Sequence, residues 1–166
     1  MKFVNTIVFI LFSTLALQSG IDGLVLDNGL YKITNVASRS TVRSYNPRTQ
    51  VYIASTREAP GPFEMWKGQY DNVHHGYILH NVGLSLGAAV HKVGDGEPVS
   101  TAGTPTVFQI EPAGDSSFAI KVPDVDLLWT AEPPVIPHGD IALKPANGRA
   151  NIEGSKSNVA MNAWLP

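Results

Sequence analysis

The sequence predicts an all-β chain built from three copies of one unit of about four short strands. Two observations carry this reading. First, an aromatic residue opens a short run of alternating apolar residues three times, and the openings lie roughly 40–45 residues apart. The runs read Gly29-Leu30-Tyr31-Lys32-Ile33-Thr34-Asn35-Val36, Gly76-Tyr77-Ile78-Leu79-His80-Asn81-Val82 and, more weakly, Ser117-Phe118-Ala119-Ile120-Lys121-Val122. Second, glycine (15) and proline (12) recur throughout, so turn residues interrupt the chain before a helical period is established.

Taken in order, the first element is not part of the fold. Lys2 gives a positive start, residues 4–17 are almost wholly apolar, and small or polar residues follow at Gln18-Ser19-Gly20. This is the layout of a secretory signal peptide over residues 1–20, with cleavage expected between about 18 and 24. The apolar run is too short to span a bilayer comfortably. A domain from 24 to 166 remains, large enough for one core.

Within that domain the first unit has strand signals at 30–36, 41–45, 50–55 and 63–66. Turn chemistry separates them at Ser38-Arg39-Ser40, Asn46-Pro47-Arg48 and Pro60-Gly61-Pro62. The second unit has signals at 77–82, 88–93, 98–101 and 106–111, with turns at Gly94-Asp95-Gly96 and Ala102-Gly103. The stretch 84–90 is the best helical rival, but it is short and glycine-flanked. The third unit has signals at 118–122, 127–130 and 141–144. Three units of this kind predict a β-trefoil, a six-stranded barrel capped by three hairpins. The competing arrangement is an immunoglobulin-like sandwich.

Period-2 alternation puts Tyr31 and Ile33, Tyr77 and Leu79, and Phe118 and Ile120 on one inward face. The unit closers match as Phe63-Glu64-Met65-Trp66 and Phe108-Gln109-Ile110. Trp66 reads as core. The third unit lacks a closer near Ala150, so the last repeat is expected to be incomplete and residues 150–166 irregular, with Ile152 or Trp164-Leu165 as the only candidates for the missing strand.

Bulk composition narrows the function classes. Cysteine is absent, so an exported chain of this kind relies on packing without disulfides. A net charge of −2 argues against a broad basic footprint for nucleic acid. Charged residues make up 16 %, too few for long-range steering to dominate association. There is no Asn-x-Ser/Thr sequon.

The Gly-x-Tyr-x-Ile-x-Asn-Val opening and the threefold strand pattern over most of residues 28–148 resemble fungal β-trefoil proteins, namely the ricin-B-type lectins and protease inhibitors of the mycocypin and cospin kind. Ricin-B-type lectins close each repeat with Gln-x-Trp. Here the first unit has Phe63-Glu64-Met65-Trp66, the second Phe108-Gln109-Ile110, and the third nothing comparable. The resemblance implies a binding protein rather than an enzyme.

The His-Glu-x-x-His, Walker and dinucleotide glycine patterns of enzymes are missing. Asp124 and Asp126 read as turn formers rather than a catalytic pair, because glycoside hydrolysis needs two carboxyls facing across a cleft. His74-His75 read as solvated loop residues, since neighbours on a strand point to opposite sides. No metal and no cofactor are expected.

Sugar binding needs an aromatic platform for the apolar face of a pyranose and a polar group for its hydroxyls. Tyr45 with Asn46, and Trp129 with Asp140, are the contacts the sequence offers, with a core or hairpin-packing role the alternative for each aromatic; Tyr52 and Asp126 are secondary, and the second unit has only His91 and Asp95. The expectation is a secreted, extracellular, lectin-like binder whose partner is a glycan or glycoprotein, with no membrane contact after signal removal. The alternative partner is a protease, inhibited through the proline-stiffened loop around Arg57, or through Lys67 on an expected loop 67–76. The proline-rich run Glu132-Pro133-Pro134-Val135-Ile136-Pro137-His138 offers a further extended surface.

Overall fold

The computed structural model describes residues 26–54, 61–114, 117–132, 138–146 and 159–163. The signal-peptide segment with its cleavage window, Arg57 and most of the proline-rich run lie outside these residues.

Alternating sequence becomes strand throughout. The first repeat holds β1 (Gly29–Asn35), β2 (Thr41–Arg43), β3 (Tyr52–Ala54) and β4 (Met65–Asp71). The second holds β5 (Gly76–Asn81), β6 (Leu86–Ala89), β7 (Ser100–Ala102) and β8 (Gln109–Gly114). The third holds β9 (Ser117–Lys121), β10 (Leu127–Ala131), β11 (His138–Pro145) and β12 (Val159–Ala163). A 3-10 turn at Pro62–Glu64 leads into β4. The helical rival at 84–90 is instead the end of a turn followed by β6 itself.

Six strands line up edge to edge in the order expected of a trefoil wall. β1 pairs with β4, β4 with β5, β8 with β9, β9 with β12, and β12 with β1. Between β5 and β8 there is only the bridge Tyr77↔Phe108, each N–H donating to the other's carbonyl at 2.7 and 2.8 Å. The ladder therefore does not close into the continuous barrel expected from the sequence. On one side the seam is stopped by the β4–β5 turn, where His75 has φ +51°. On the other, the Thr106 N–H is committed to the Ala88 carbonyl at 3.0 Å.

The cap consists of three hairpins, β2–β3, β6–β7 and β10–β11. They meet in a closed triangle of backbone hydrogen bonds. Val51 N–H donates to Val99, Val99 to Ile141, and Ile141 back to Val51, at 2.7, 2.9 and 2.8 Å. All three residues are buried. Each repeat thus supplies one donor and one acceptor to the centre of the cap, the threefold relation expected of a β-trefoil.

Tyr31, Ile33, Tyr77, Leu79 and Ile120 face the core as the alternation predicts, while Phe118 is only partly buried against it. Trp66 is fully buried, and its Nε1 donates to the Val42 carbonyl at 3.1 Å. The two inward tyrosines also hold the chain ahead of β1. The Tyr31 hydroxyl donates to the Asp27 carbonyl, and the Tyr77 hydroxyl bonds both the N–H and the carbonyl of Leu26 at 2.9 Å.

The expectation for the third repeat is corrected in one respect. A closing strand exists at Val159–Ala163 and pairs with β1 over five residues, from Tyr31↔Ala163 to Asn35↔Val159. It falls after Ile152 and before Trp164. The run Val-Ala-Met-Asn-Ala lacks the large alternating residues that mark the other closers, and backbone pairing to two neighbours takes their place.

Candidate functional site

Among the described residues, the first hairpin gathers more chemistry than the other two. Across β2, β3 and β11 the register aligns Arg43 with Tyr52 and Tyr52 with Asp140. Residues opposed on antiparallel strands share a face. Their neighbours Val42, Ile53 and Gly139 are buried, so this row faces away from the core. Tyr45 follows β2 and is 42 % exposed. Its ring lies 5.1 Å from Phe63 and 6.3 Å from Tyr52, centroid to centroid and tilted in both cases.

Phe63 is the floor of this cluster, and the second repeat holds it there. Asn81 Nδ2 donates to the Phe63 carbonyl at 2.8 Å, and Gly83 N–H to the Pro62 carbonyl at 2.9 Å. A side chain at Gly83 would collide with the ring, since a Cβ there would sit 2.4 Å from Phe63 Cδ1.

Beneath Tyr45 lies an ion pair, Arg43 Nη1 to Glu64 Oε1 at 3.2 Å, with both side chains about nine-tenths buried. The Tyr45 hydroxyl accepts from Arg43 Nη1 and donates to Glu64 Oε1, each at 3.4 Å. Burial, and then the neighbouring Tyr45, push the Tyr52 phenol above its usual range; Glu64 adds to this, and Arg43 pulls the other way.

The sequence-derived contacts divide. Tyr45 and Asn46 are exposed side by side, and the Asn46 carbonyl accepts from Thr49 Oγ1 at 2.7 Å, which shapes the turn. Asp140 is exposed opposite Tyr52, so it belongs to the Tyr45 face. Trp129 does not belong to it and is corrected. It is 1 % exposed, its ring meets Phe108 edge-on at 5.1 Å, and its register partner Leu143 is buried too. A strand tryptophan on the inward face cannot present a platform.

Lys67 is also corrected. It lies within β4, paired to Leu30 on one side and His80 on the other, so it is exposed on a rigid wall and not on a loop. Burial, and then the Lys67 charge, lower the His80 pKa below 6.5. His74 Nδ1 sits 2.8 Å from Asp71 Oδ2. Asp124 and Asp126 occupy the β9–β10 turn, with Asp124 at φ +60°. Among the described residues no three His, Asp or Glu side chains are grouped to hold a metal, and no helix is long and apolar enough to cross a membrane.

Sequence reasoning missed Arg43, Glu64 and Phe63 as parts of this face. Arg43 stands in a short strand between apolar and small residues, and its partner lies 21 positions on, across a loop. A single sequence carries no signal for such a pair.

No family model matches the sequence, and no curated protein does. Solved structures do match. The Rhizoctonia solani agglutinin has TM-score 0.70 at 15 % identity, over 86 % of this chain and 99 % of its own. The Macrolepiota procera ricin B-like lectin, solved with lactose, has TM-score 0.67 at 15 % identity, over 85 % and 99 %. A proteinase inhibitor from Coprinopsis cinerea has TM-score 0.61 at 11 % identity, over 84 % and 99 %. At these identities the likeness is one of fold. The chain is a β-trefoil that resembles ricin B-like lectins and a fungal proteinase inhibitor alike.

Proposed function

We propose that the protein is a secreted, non-catalytic binding protein that takes a carbohydrate on the first-hairpin face. The observation that carries this is Tyr45, an exposed ring held by its hydroxyl and backed by Phe63. A fixed aromatic gives the apolar face of a pyranose a surface at low ordering cost, and flanking polar groups set its orientation. Asn46 and Asp140 supply those groups. The lactose-bound lectin of the same fold supports the substrate class. The signal-peptide layout of residues 1–20 supports export to a compartment where glycans are abundant.

The test is a glycan array on the mature domain, followed by titration of any hit against Tyr45→Ala. Saturable binding lost in the variant supports the reading. A blank array with folded protein rejects it.

A second reading, protease inhibition through Arg57, draws support from the Coprinopsis cinerea inhibitor of the same fold and from the prolines at 60 and 62 that flank this stretch. Lys67 drops out of it, because a residue paired on both sides cannot extend into a protease cleft. Stoichiometric trypsin inhibition abolished by Arg57→Ala supports this reading, and no inhibition removes it.

A further inference from the structure

Building on the carbohydrate reading, we propose that the buried Arg43–Glu64 pair is a positioning device for the Tyr45 ring, and that among the described residues the first repeat alone presents such a platform. The geometry holds Tyr45 from two sides. Arg43 Nη1 and Glu64 Oε1 both bond its hydroxyl, while the guanidinium carbon lies 5.9 Å from its ring centroid. Arg43 is itself pinned, Nη2 donating to the Ala54 carbonyl at 3.2 Å.

Stability does not account for the pair. Charges taken out of water are compensated only when their remaining hydrogen-bonding capacity is satisfied. Here Arg43 Nε and Glu64 Oε2 are buried without partners. A neutral pair of side chains would hold this layer together at least as well.

The other repeats show that the fold manages without it. The central triangle identifies matching stations, because Val51, Val99 and Ile141 play the same part in it. The residue after each, with its cross-strand partner, is Tyr52 with Arg43, Ser100 with Ala89, and Ala142 with Thr130. Glu64 precedes the buried Trp66 by two, as Thr106 precedes the buried Phe108. The N–H groups of Ser44 and Val90, each one residue past the Arg43 or Ala89 station, both bond this stretch, at the Phe63 carbonyl and at Thr106 Oγ1. The second repeat therefore has Ala89 and Thr106 where the first has Arg43 and Glu64.

The platform differs in the same way. Two residues beyond Arg43 stands Tyr45; two beyond Ala89 stands His91, and two beyond Thr130 stands Glu132, which is ion-paired to Lys144 at 2.8 Å. Neither is an aromatic fixed by a pair beneath it. Among the described residues, one such site follows.

The experiment transplants the second repeat's residues into the first, as Arg43→Ala with Glu64→Thr, and adds Glu64→Gln as the single variant. Each is compared with the parent by thermal melting, by NMR of 13C-labelled tyrosine with the Tyr45 signals assigned through Tyr45→Phe, and by lactose titration. The expected result is melting within about 5 °C of the parent for the double variant and lower for Glu64→Gln, which leaves the Arg43 charge buried without its partner, Tyr45 ring signals that collapse to averaged positions in both, and lactose affinity reduced roughly three- to tenfold. Unchanged Tyr45 signals in both variants would overturn the proposal. So would melting lowered by more than about 5 °C in both, which would make the pair a structural one. Lactose binding with a stoichiometry of two or three would refute the single platform. A parent that binds no lactose counts against the carbohydrate reading with this probe, while the ring signals still decide the positioning role.

Discussion

Asn35 and Asn81 do the same thing in successive repeats: each turns its side-chain oxygen onto the backbone N–H three residues ahead, Ser38 at 2.9 Å and Leu84 at 3.1 Å. In both turns the fourth residue, Arg39 or Ser85, takes positive φ and donates its N–H to the asparagine carbonyl. Both asparagines are buried. The near-repeat of Ile33-Thr34-Asn35-Val36 and Leu79-His80-Asn81-Val82 is thus a repeated turn as well as a repeated strand. Asn81 also reaches back to the preceding repeat through the Phe63 carbonyl.

Asn81→Ala removes the side-chain acceptor of the Leu84 N–H and one of the two donors to the Phe63 carbonyl, in a part-buried setting. We expect a loss of about 2–3 kcal/mol, seen as a fall in Tm of roughly 4–12 °C for a domain of this size. Because Phe63 backs Tyr45, weakened glycan binding should accompany it. Thermal melting and a titration on the same sample check both.

Trp129 and Tyr45 should respond in opposite ways. Trp129→Ala empties a fully buried site and is expected to cost about 3–5 kcal/mol, measured by urea unfolding. Trp129→Phe, being smaller in effect, should leave ligand binding intact. Tyr45→Ala should cost less than about 1 kcal/mol, as for exposed sites generally, and abolish binding.

His80 gives a pH dependence with a definite sign. Its folded pKa lies below the ordinary 6.5 because burial and Lys67 disfavour the charged form. The unfolded chain therefore binds the proton more readily. Stability should be full above pH 6.5, fall as pH drops from there toward the folded value, and then level off. His80→Gln should flatten that limb in Tm measured from pH 7.5 to 5. A separate acid limb should appear below pH 3.8, where Asp71, lowered by its hydrogen bond with His74, loses its charge.

Gly76→Ala tests the narrow seam between β5 and β8. A Cβ there would sit 2.7 Å from the Phe108 carbonyl oxygen and 2.6 Å from Val107 Cγ1. Backbone cannot yield cheaply on one side of a single bridge. A loss of about 1–3 kcal/mol in urea unfolding is expected, with faster exchange of the Tyr77 and Phe108 amides.

The sequence made the repeat visible because its openers alternate and carry an aromatic at a fixed station, as at Tyr31 and Tyr77. Tyr45 and Asn46, singled out from the sequence, are exposed, and Asp140, grouped there with Trp129, lies instead opposite Tyr52. The sequence misassigned Trp129, because a strand's pattern fixes which residues share a face but not which face is inward, and one step of register reverses the answer. β12 was hard to see for another reason: small and polar residues pair well enough when neighbours supply the ladder on both sides. The pair Arg43 and Glu64 was illegible because only the folded hairpin brings the two together.

The hydrogen-bond triangle of Val51, Val99 and Ile141 makes three a closure condition for this chain. Excising any one repeat would leave a buried N–H and a buried carbonyl facing each other across a gap with no third group to bridge them. Duplicating one would offer a fourth donor with no vacancy to enter. Diversity among the repeats is therefore free to accumulate in the hairpin faces, as Arg43, Ala89 and Thr130 show, while their number is held fixed from the centre.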